Sequence, residues 1–268
     1  LNASPSPTIL PMTTAILSAL PEEQGGLVQA LQAPECITHA GRSFWRGRLL
    51  GQPVLLALSG VGKVAAATTA TLLAERFGVA RIVFTGVAGG LGDGVQVGDV
   101  VVAQDFLQHD MDASPIFPRW EVPGYGLARM PCDAALTTML FEAASAYLTS
   151  DRAGFDPNNP AIAHRHAACA HQGLIVSGDR FVSTSAESAA LRQALGAAGH
   201  QVLAVEMEGA AVAQVCRDYG LPFAAVRTIS DRADDSAHVD FPHFVRHVAS
   251  RYADHIIQGL LRAMPGGR

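Results

Sequence analysis

Two carboxylates are the residues of this 268-residue chain whose placement points to chemistry. Glu208 lies in the stretch VEMEGAAVAQVCRDY over residues 205–219, and Asp231 closes the run VRTISD over 226–231. Each stands at the end of one of two neighbouring apolar strands, where open α/β sheets place their ligand crevice. Residues 202–205 form a short apolar run, and 209–219 take up helical spacing with Ala, Val and Cys on one stripe. One acid at such a strand end can simply cap the helix that follows. A second carboxylate favours a pocket that both face, the arrangement used for general acid–base work.

Glycine loops offer the other chemical reading, nucleotide phosphate binding, and the letters argue against it. Gly60-Val61-Gly62-Lys63-Val64 resembles the tail of a P-loop, but Ala57 stands where the first glycine belongs and Val64 replaces the magnesium-binding Ser or Thr. The run from Gly86 to Gly94 follows a strand, yet it lacks the G-x-G-x-x-G register and no helix follows directly. Those glycines either let the main chain approach a small ligand or make a plain tight turn.

The elements that would position these residues alternate along the chain. A strand over 14–20 starts a sheet, and 44–50 with 54–59, joined by Gly51-Gln52-Pro53, reads as a hairpin. The spacing predicts a helix over 63–77 and a strand over 81–85. A loop over 86–99 holding six glycines leads to a strand over 100–108 and an irregular segment over 109–130 with prolines and aromatics. A helix over 132–149 and an irregular surface insertion over 154–171 follow. Strands at 174–176, 202–205 and 223–229 then alternate with helices at 185–195, 209–219 and 241–262. This is the pattern of an α/β fold, a single domain over 14–264 whose central mixed β-sheet carries helices on both faces, after a flexible tail over 1–13.

Composition excludes several functions. With 49% hydrophobic and 16% charged residues and 26 Gly, the chain can bury a large sheet. A formal charge of -5, with Lys and Arg scattered, provides no footprint for nucleic acid or an anionic membrane. Cys36, Cys132, Cys169 and Cys216 lie far apart, show no C-x-x-C pair, and read as reduced packing residues. Residues 1–13 lack a basic n-region and the apolar run after them is too short for a membrane span, so a cytoplasmic setting is expected. His164, His166 and His171 sit in the polar insertion and read as solvated, so no metal is expected.

Seven segments, in order over nearly the whole chain, then resemble one family. They are Ala19-Leu20-Pro21-Glu22-Glu23, Ser59-Gly60-Val61-Gly62-Lys63-Val64-Ala65-Ala66, Thr85-Gly86-Val87-Ala88-Gly89-Gly90-Leu91, Val97-Gly98-Asp99-Val100-Val101, Val176-Ser177-Gly178-Asp179-Arg180-Phe181-Val182, Val205-Glu206-Met207-Glu208-Gly209-Ala210 and Arg227-Thr228-Ile229-Ser230-Asp231. Together they look like the 5′-methylthioadenosine/S-adenosylhomocysteine nucleosidases.

The resemblance implies a nucleoside phosphorylase-like fold, a homodimer, no cofactor, and hydrolysis of an adenine nucleoside to adenine and a 5-thio-substituted ribose. Cleaving that N-glycosidic bond requires the base to accept a proton while positive charge grows on the sugar. By the family motif Asp231 would be the general acid toward adenine N7, with a raised pKa and Ser230 orienting it. Glu23 would activate the attacking water, and Glu208 would bind the ribose hydroxyls and steady the cation. Arg227 would sit among Glu23, Glu208 and the water, offsetting the repulsion of two carboxylates. Met207 would pack beneath the sugar, Phe181 and Val182 would contact the purine, and Phe241 would add an aromatic wall. Leu20, Val61, Val87, Ala88 and Gly89 would line the same pocket. His109 and Asp110 resemble a feature near the subunit contact, from which Phe117, Pro118 and Tyr125 would cover the 5′ pocket of the partner subunit.

Departures from the family bear on substrate choice. Glu208 is followed by Gly209-Ala210-Ala211 where many nucleosidases have Ala-Thr, and Val87 stands where a serine is common. The PRWEVPGY segment also differs and would shape the 5′ end, where methylthioadenosine, adenosylhomocysteine, 5′-deoxyadenosine and aminodeoxyfutalosine diverge. A phosphorylase would need cationic donors beside the sugar, whereas Pro21-Glu22-Glu23 offers a carboxylate there. A non-catalytic adenosine-binding protein would have no use for a water-activating Glu23.

Overall fold

Strands that are apolar at successive positions need cover on both faces, and the chain supplies it. The computed structural model describes residues 12–150, 168–237, 241 and 244–265. The chain runs β1 (Thr14–Ser18), α1 (Pro21–Gln29), β2 (Gln32–His39), β3 (Arg42–Leu49), β4 (Gln52–Leu58), α2 (Lys63–Glu75), β5 (Arg81–Gly90) and β6 (Val100–Gln108). It continues with β7 (Arg129–Pro131), α3 (Ala134–Leu148), β8 (Ala170–Ser177), α4 (Ser185–Ala197), β9 (Val202–Glu206), α5 (Gly209–Tyr219) and β10 (Phe223–Asp231), and after a π-helical turn (Val245–Ala249) with α6 (Ser250–Ala263).

The ten strands among the described residues join one mixed sheet, which closes on itself. β5 pairs in parallel with β10 and antiparallel with β9, β10 runs antiparallel to β6, and β8 lies parallel to both β6 and β9. These five strands form a ring, and β1, β4, β3 and β2 extend the sheet outward from β5. Period-two alternation then divides the core. Ala15, Leu17, Leu55, Ala57, Ile82 and Phe84 point to the face covered by Ala66, Ala70 and Leu73 of α2 and Ala210, Val212 and Cys216 of α5. Ile16, Val54, Leu56 and Val83 point to the opposite face, beneath Leu27 of α1, Leu136 and Leu140 of α3, and Ile256, Ile257 and Leu260 of α6. This is the expected single-domain α/β architecture with helices on both faces.

Four expectations change in the structure. The strands that end near Glu208 and Asp231 are not neighbours, because β5 lies between β9 and β10. The glycine loop expected from residue 86 begins only at Leu91, since β5 continues through Gly90. His171 belongs to β8 and hydrogen-bonds through Nε2 to Asp99 Oδ2 at 2.9 Å, so it is not part of a solvated insertion. Among the cysteines, which are all free, Cys36 and Cys169 are exposed instead of packed, and Cys132 precedes α3. His164, His166 and most of the expected insertion and tail lie outside the described residues. No described helix is long and apolar enough to cross a membrane.

α5 presses so closely on β6 that its first residue has no room for a methyl group. A Cβ on Gly209 would lie well inside van der Waals contact with Cε1 of the Phe106 ring, itself buried in the sheet. Gly209→Ala should therefore lower stability by roughly 1–3 kcal/mol through overpacking, despite about 1 kcal/mol of better helix propensity. A fall in the urea midpoint at constant slope checks this, and an unchanged midpoint contradicts it.

Candidate active site

The ends of six strands open onto one cleft. Ala19, Leu20 and Glu23 reach it after β1, Val61 after β4, Val87 to Gly89 from β5, and Arg180 to Val182 after β8. Val205 to Glu208 come from the end of β9, Ser230 and Asp231 from β10, and Phe241 from the segment before α6. Every residue expected at the site lines this cleft except Arg227. Ala19, Arg180, Val205 and Glu206 line it as well and were not foreseen.

Glu23 is almost fully buried and is held by three backbone amides. Its Oε2 accepts from Ala19 N and Leu20 N, each at 2.8 Å, and its Oε1 accepts from Val87 N at 3.0 Å. Burial nevertheless raises its pKa from the ordinary 4.5, against the pull of those amides and of Arg227. The glycines of β5 make this geometry possible. A Cβ on Gly86 would lie 2.8 Å from Glu23 Oε1, and one on Gly89 would lie 3.0 Å from Asp231 Oδ1. These two glycines make room for carboxylates, and in the described structure they belong to a strand and not to a tight turn.

Asp231 is equally buried at the end of β10. Its Oδ2 accepts from Ser230 Oγ at 2.8 Å and its Oδ1 from Ala233 N at 2.8 Å, while Ser230 Oγ also lies 3.3 Å from Ala88 O. Phe181 and Phe241 meet edge to face, with ring centroids 5.6 Å apart, at the apolar side of the cleft.

Arg227 departs from its expected place. Its side chain is buried, stacks 4.0 Å over the Phe84 ring, and donates from Nη2 to Glu206 Oε2 at 2.7 Å. Its partner is thus Glu206, although its charge still acts on Glu23 and Glu208. Glu206 also accepts from Ser177 Oγ and from the amides of Glu208 and Gly209 at 2.9–3.2 Å, which fixes the start of α5. The signal for it was present in VEME, where residues two apart share one face of an extended segment. Tyr125 donates to Asp218 of its own chain at 2.6 Å.

Glu208 accepts from Gly62 N at 2.8 Å. Burial, and then the nearby Glu206 carboxylate, push its pKa from 4.5 up to about 8. A folded-state pKa above the unfolded one means that the native protein keeps a proton that the unfolded chain has lost. The stabilisation is complete below pH 4.5 and is lost as pH rises to about 8. In Glu208→Gln this titration is absent. Wild type should therefore lose at least about 4 °C of melting temperature relative to the variant between pH 5 and 8, the shift that roughly 1–2 kcal/mol produces in a chain of this size. A difference that stays constant with pH would assign Glu208 an ordinary pKa.

Together these groups can hold a polyhydroxylated ligand against a carboxylate, keep a water beside another, and present a third for proton transfer, with aromatic rings for a flat ring system. Among the described residues no cluster of three His, Cys, Asp or Glu side chains could hold a metal ion.

Known proteins share both the sequence and the architecture. A sequence model of the Phosphorylase superfamily matches residues 13–262. A relative from Shewanella denitrificans named 5′-methylthioadenosine/S-adenosylhomocysteine nucleosidase is 32% identical over 234 residues, which span 87% of this chain and 92% of the relative. The solved structure of the Neisseria meningitidis enzyme of that name, in complex with methylthio-immucillin-A, superposes with a TM-score of 0.81 at 32% identity and covers 94% of this chain and 99% of its own. A futalosine hydrolase from Helicobacter pylori superposes with a TM-score of 0.79 at 28% identity, over 94% of this chain and 98% of its own. Agreement this extensive, in sequence and in fold, means that the chain belongs to the 5′-methylthioadenosine/S-adenosylhomocysteine nucleosidase family of the phosphorylase superfamily.

Proposed function

We propose that the protein hydrolyses the N-glycosidic bond of 5′-methylthioadenosine and S-adenosylhomocysteine, releasing adenine and a 5-thio-substituted ribose. The observation that carries this reading is the convergence of Glu23, Glu208 and Asp231, all buried, on one cleft whose apolar side holds Phe181 and Phe241. The names of its relatives and the methylthio-immucillin-A bound by the Neisseria protein support it.

In this reading adenine lies against the wall made by Phe181 and Phe241, with the Val182 main chain at its edge, and Asp231 gives a proton to N7 as the bond lengthens. Ser230 orients that acid. The ribose rests on Met207, and its hydroxyls bond to Glu208, whose single recorded donor, the Gly62 amide, leaves other lone pairs for them. Glu23 has three of its about four acceptor sites filled by amides, so one remains to take a proton from the attacking water. Burial that raises its pKa makes it a stronger base than a surface carboxylate. Leu20, Val61, Val87, Ala88 and Gly89 enclose the nucleoside. Arg227 acts from behind by pairing with Glu206, and its positive charge pulls the pKa values of Glu23 and Glu208 down against the effect of burial.

Hydrolysis is favoured over phosphorolysis because the cations near the cleft are already paired. Among the described residues, Arg227 bonds to Glu206 and Arg180 to Glu187, and the amides of Gly62 and Lys63 at the start of α2 go to carboxylates. A phosphate beside the sugar would meet Glu23 and Glu208. The domain over 14–264 would act as a homodimer in the cytoplasm, with Phe117 and Pro118 near the 5′ pocket of the partner subunit. The futalosine hydrolase likeness supports a second reading in which the 5′ substituent is bulkier.

The test is adenine release from a substrate panel by purified protein. Turnover of methylthioadenosine and adenosylhomocysteine is expected. Turnover of only 5′-deoxyadenosine or aminodeoxyfutalosine would move the substrate within the same chemistry, and release from none of the four would contradict the reading.

A further inference from the structure

Lys63 completes the glycine-lysine run that looks like a phosphate loop, yet the structure gives it other work. Its ammonium donates to Asp110 Oδ1 at 2.6 Å and to Gln108 Oε1 at 3.0 Å, and only 16% of its side chain is exposed. Asp110 in turn accepts from Asp179 N at 2.9 Å through its other oxygen. Asp179 closes the circuit by accepting from Lys63 N at 2.7 Å. The N-terminus of α2, where an anion would bind, is thus occupied by protein carboxylates, with Gly62 N on Glu208 and Lys63 N on Asp179.

The circuit ties together three loops that follow β4, β6 and β8. The first carries Val61 and the Gly62 amide that holds Glu208. The third carries Phe181 and Val182 two and three residues beyond Asp179. Neither Lys63 nor Asp110 lines the cleft, so their influence must pass through those loops. We propose that Lys63 is a positioning residue for the nucleoside site, clamping the Val61–Gly62 and Asp179–Val182 loops together through Asp110. The inference rests on the nucleosidase reading for its kinetic consequence, though not for the clamp itself.

Two variants and two measurements test it. Lys63→Met and Asp110→Asn should each lower kcat/KM for methylthioadenosine roughly tenfold, the loss on the order of one charge-assisted hydrogen bond. Most of that loss should appear in KM, because the purine and ribose contacts exist in the ground state. The double variant should be no worse than the worse single one, since both remove the same link. Lys63→Arg, which keeps a donor cation, should recover most of the loss.

Amide hydrogen exchange reads the clamp without substrate. Peptides covering 59–63 and 178–183 should exchange at least about tenfold faster in both variants, and those of β5 and α5 should not change. Kinetics within twofold of wild type together with unchanged exchange at 178–183 would overturn the proposal. Additive losses in the double variant, or equal exchange increases throughout the chain, would also overturn it by making Lys63 a general stabilising residue. An inactive wild type whose variants still show local exchange increases would refute the nucleosidase reading and leave the clamp standing.

Discussion

Asp231→Asn is expected to reduce adenine release by about 10²–10⁴-fold, the range for loss of a positioned general acid, while nucleoside affinity stays within a few fold of wild type. The local hydrogen bonds explain why binding should survive. An asparagine can keep its oxygen on Ala233 N and turn its amide toward Ser230 Oγ. Ser230 can then accept from that amide and direct its own proton to Ala88 O, which already lies 3.3 Å away. Shape and hydrogen bonding are preserved, and what is lost is the proton. Steady-state turnover combined with calorimetric titration of methylthioadenosine checks both halves. Turnover above a tenth of wild type would remove Asp231 from the acid's role, and loss of binding would make it a substrate-holding group.

Glu23→Gln should reduce turnover by a similar 10²–10⁴-fold for the loss of a general base, but with a different accompaniment. The carboxylate of Glu23 accepts from amides on both oxygens, and a glutamine nitrogen can accept from neither. At least one buried N–H, that of Val87 or those of Ala19 and Leu20, must then lose its acceptor, at a cost of roughly 1–3 kcal/mol. The variant should therefore be both inactive and less stable, whereas Asp231→Asn should be inactive and nearly as stable as wild type. Thermal denaturation beside the rate measurement separates the two. Near-normal turnover in a destabilised Glu23→Gln would make this residue a structural anchor for the β1–α1 turn and not the base.

Glu208 and Asp231 were legible in the sequence because polar residues at the ends of otherwise apolar strands have few reasons to be there, whereas Glu23, inside α1, came only from the family resemblance. The strands that are continuous apolar runs and the helices with apolar residues at helical spacing were legible too, and β6 and α5 match their expected bounds. β2 was not, because it is an edge strand exposed along almost its whole length and shows no burial period. α1 is short and contains two glycines that weaken its helical pattern. The extension of β5 through Gly90 was hidden by glycines that read as breakers, when their function is to leave space for Glu23 and Asp231. The true partner of Arg227 could not be read locally, since Glu206 lies 21 residues away and meets it only because β9 and β10 both flank β5. Lys63 illustrates the same point, as its motif suggested a ligand and its surroundings supply one from the chain itself.

The central claim is that water, and not phosphate, takes the ribose after Asp231 protonates the base. The most direct measurement is release of adenine from methylthioadenosine in buffer free of phosphate and again with phosphate added, with the sugar product identified by mass spectrometry. We expect the same rate in both and free methylthioribose as the product. A reaction that requires phosphate, or that yields a sugar 1-phosphate, would contradict the account and show that the paired cations around the cleft are released to bind an anion.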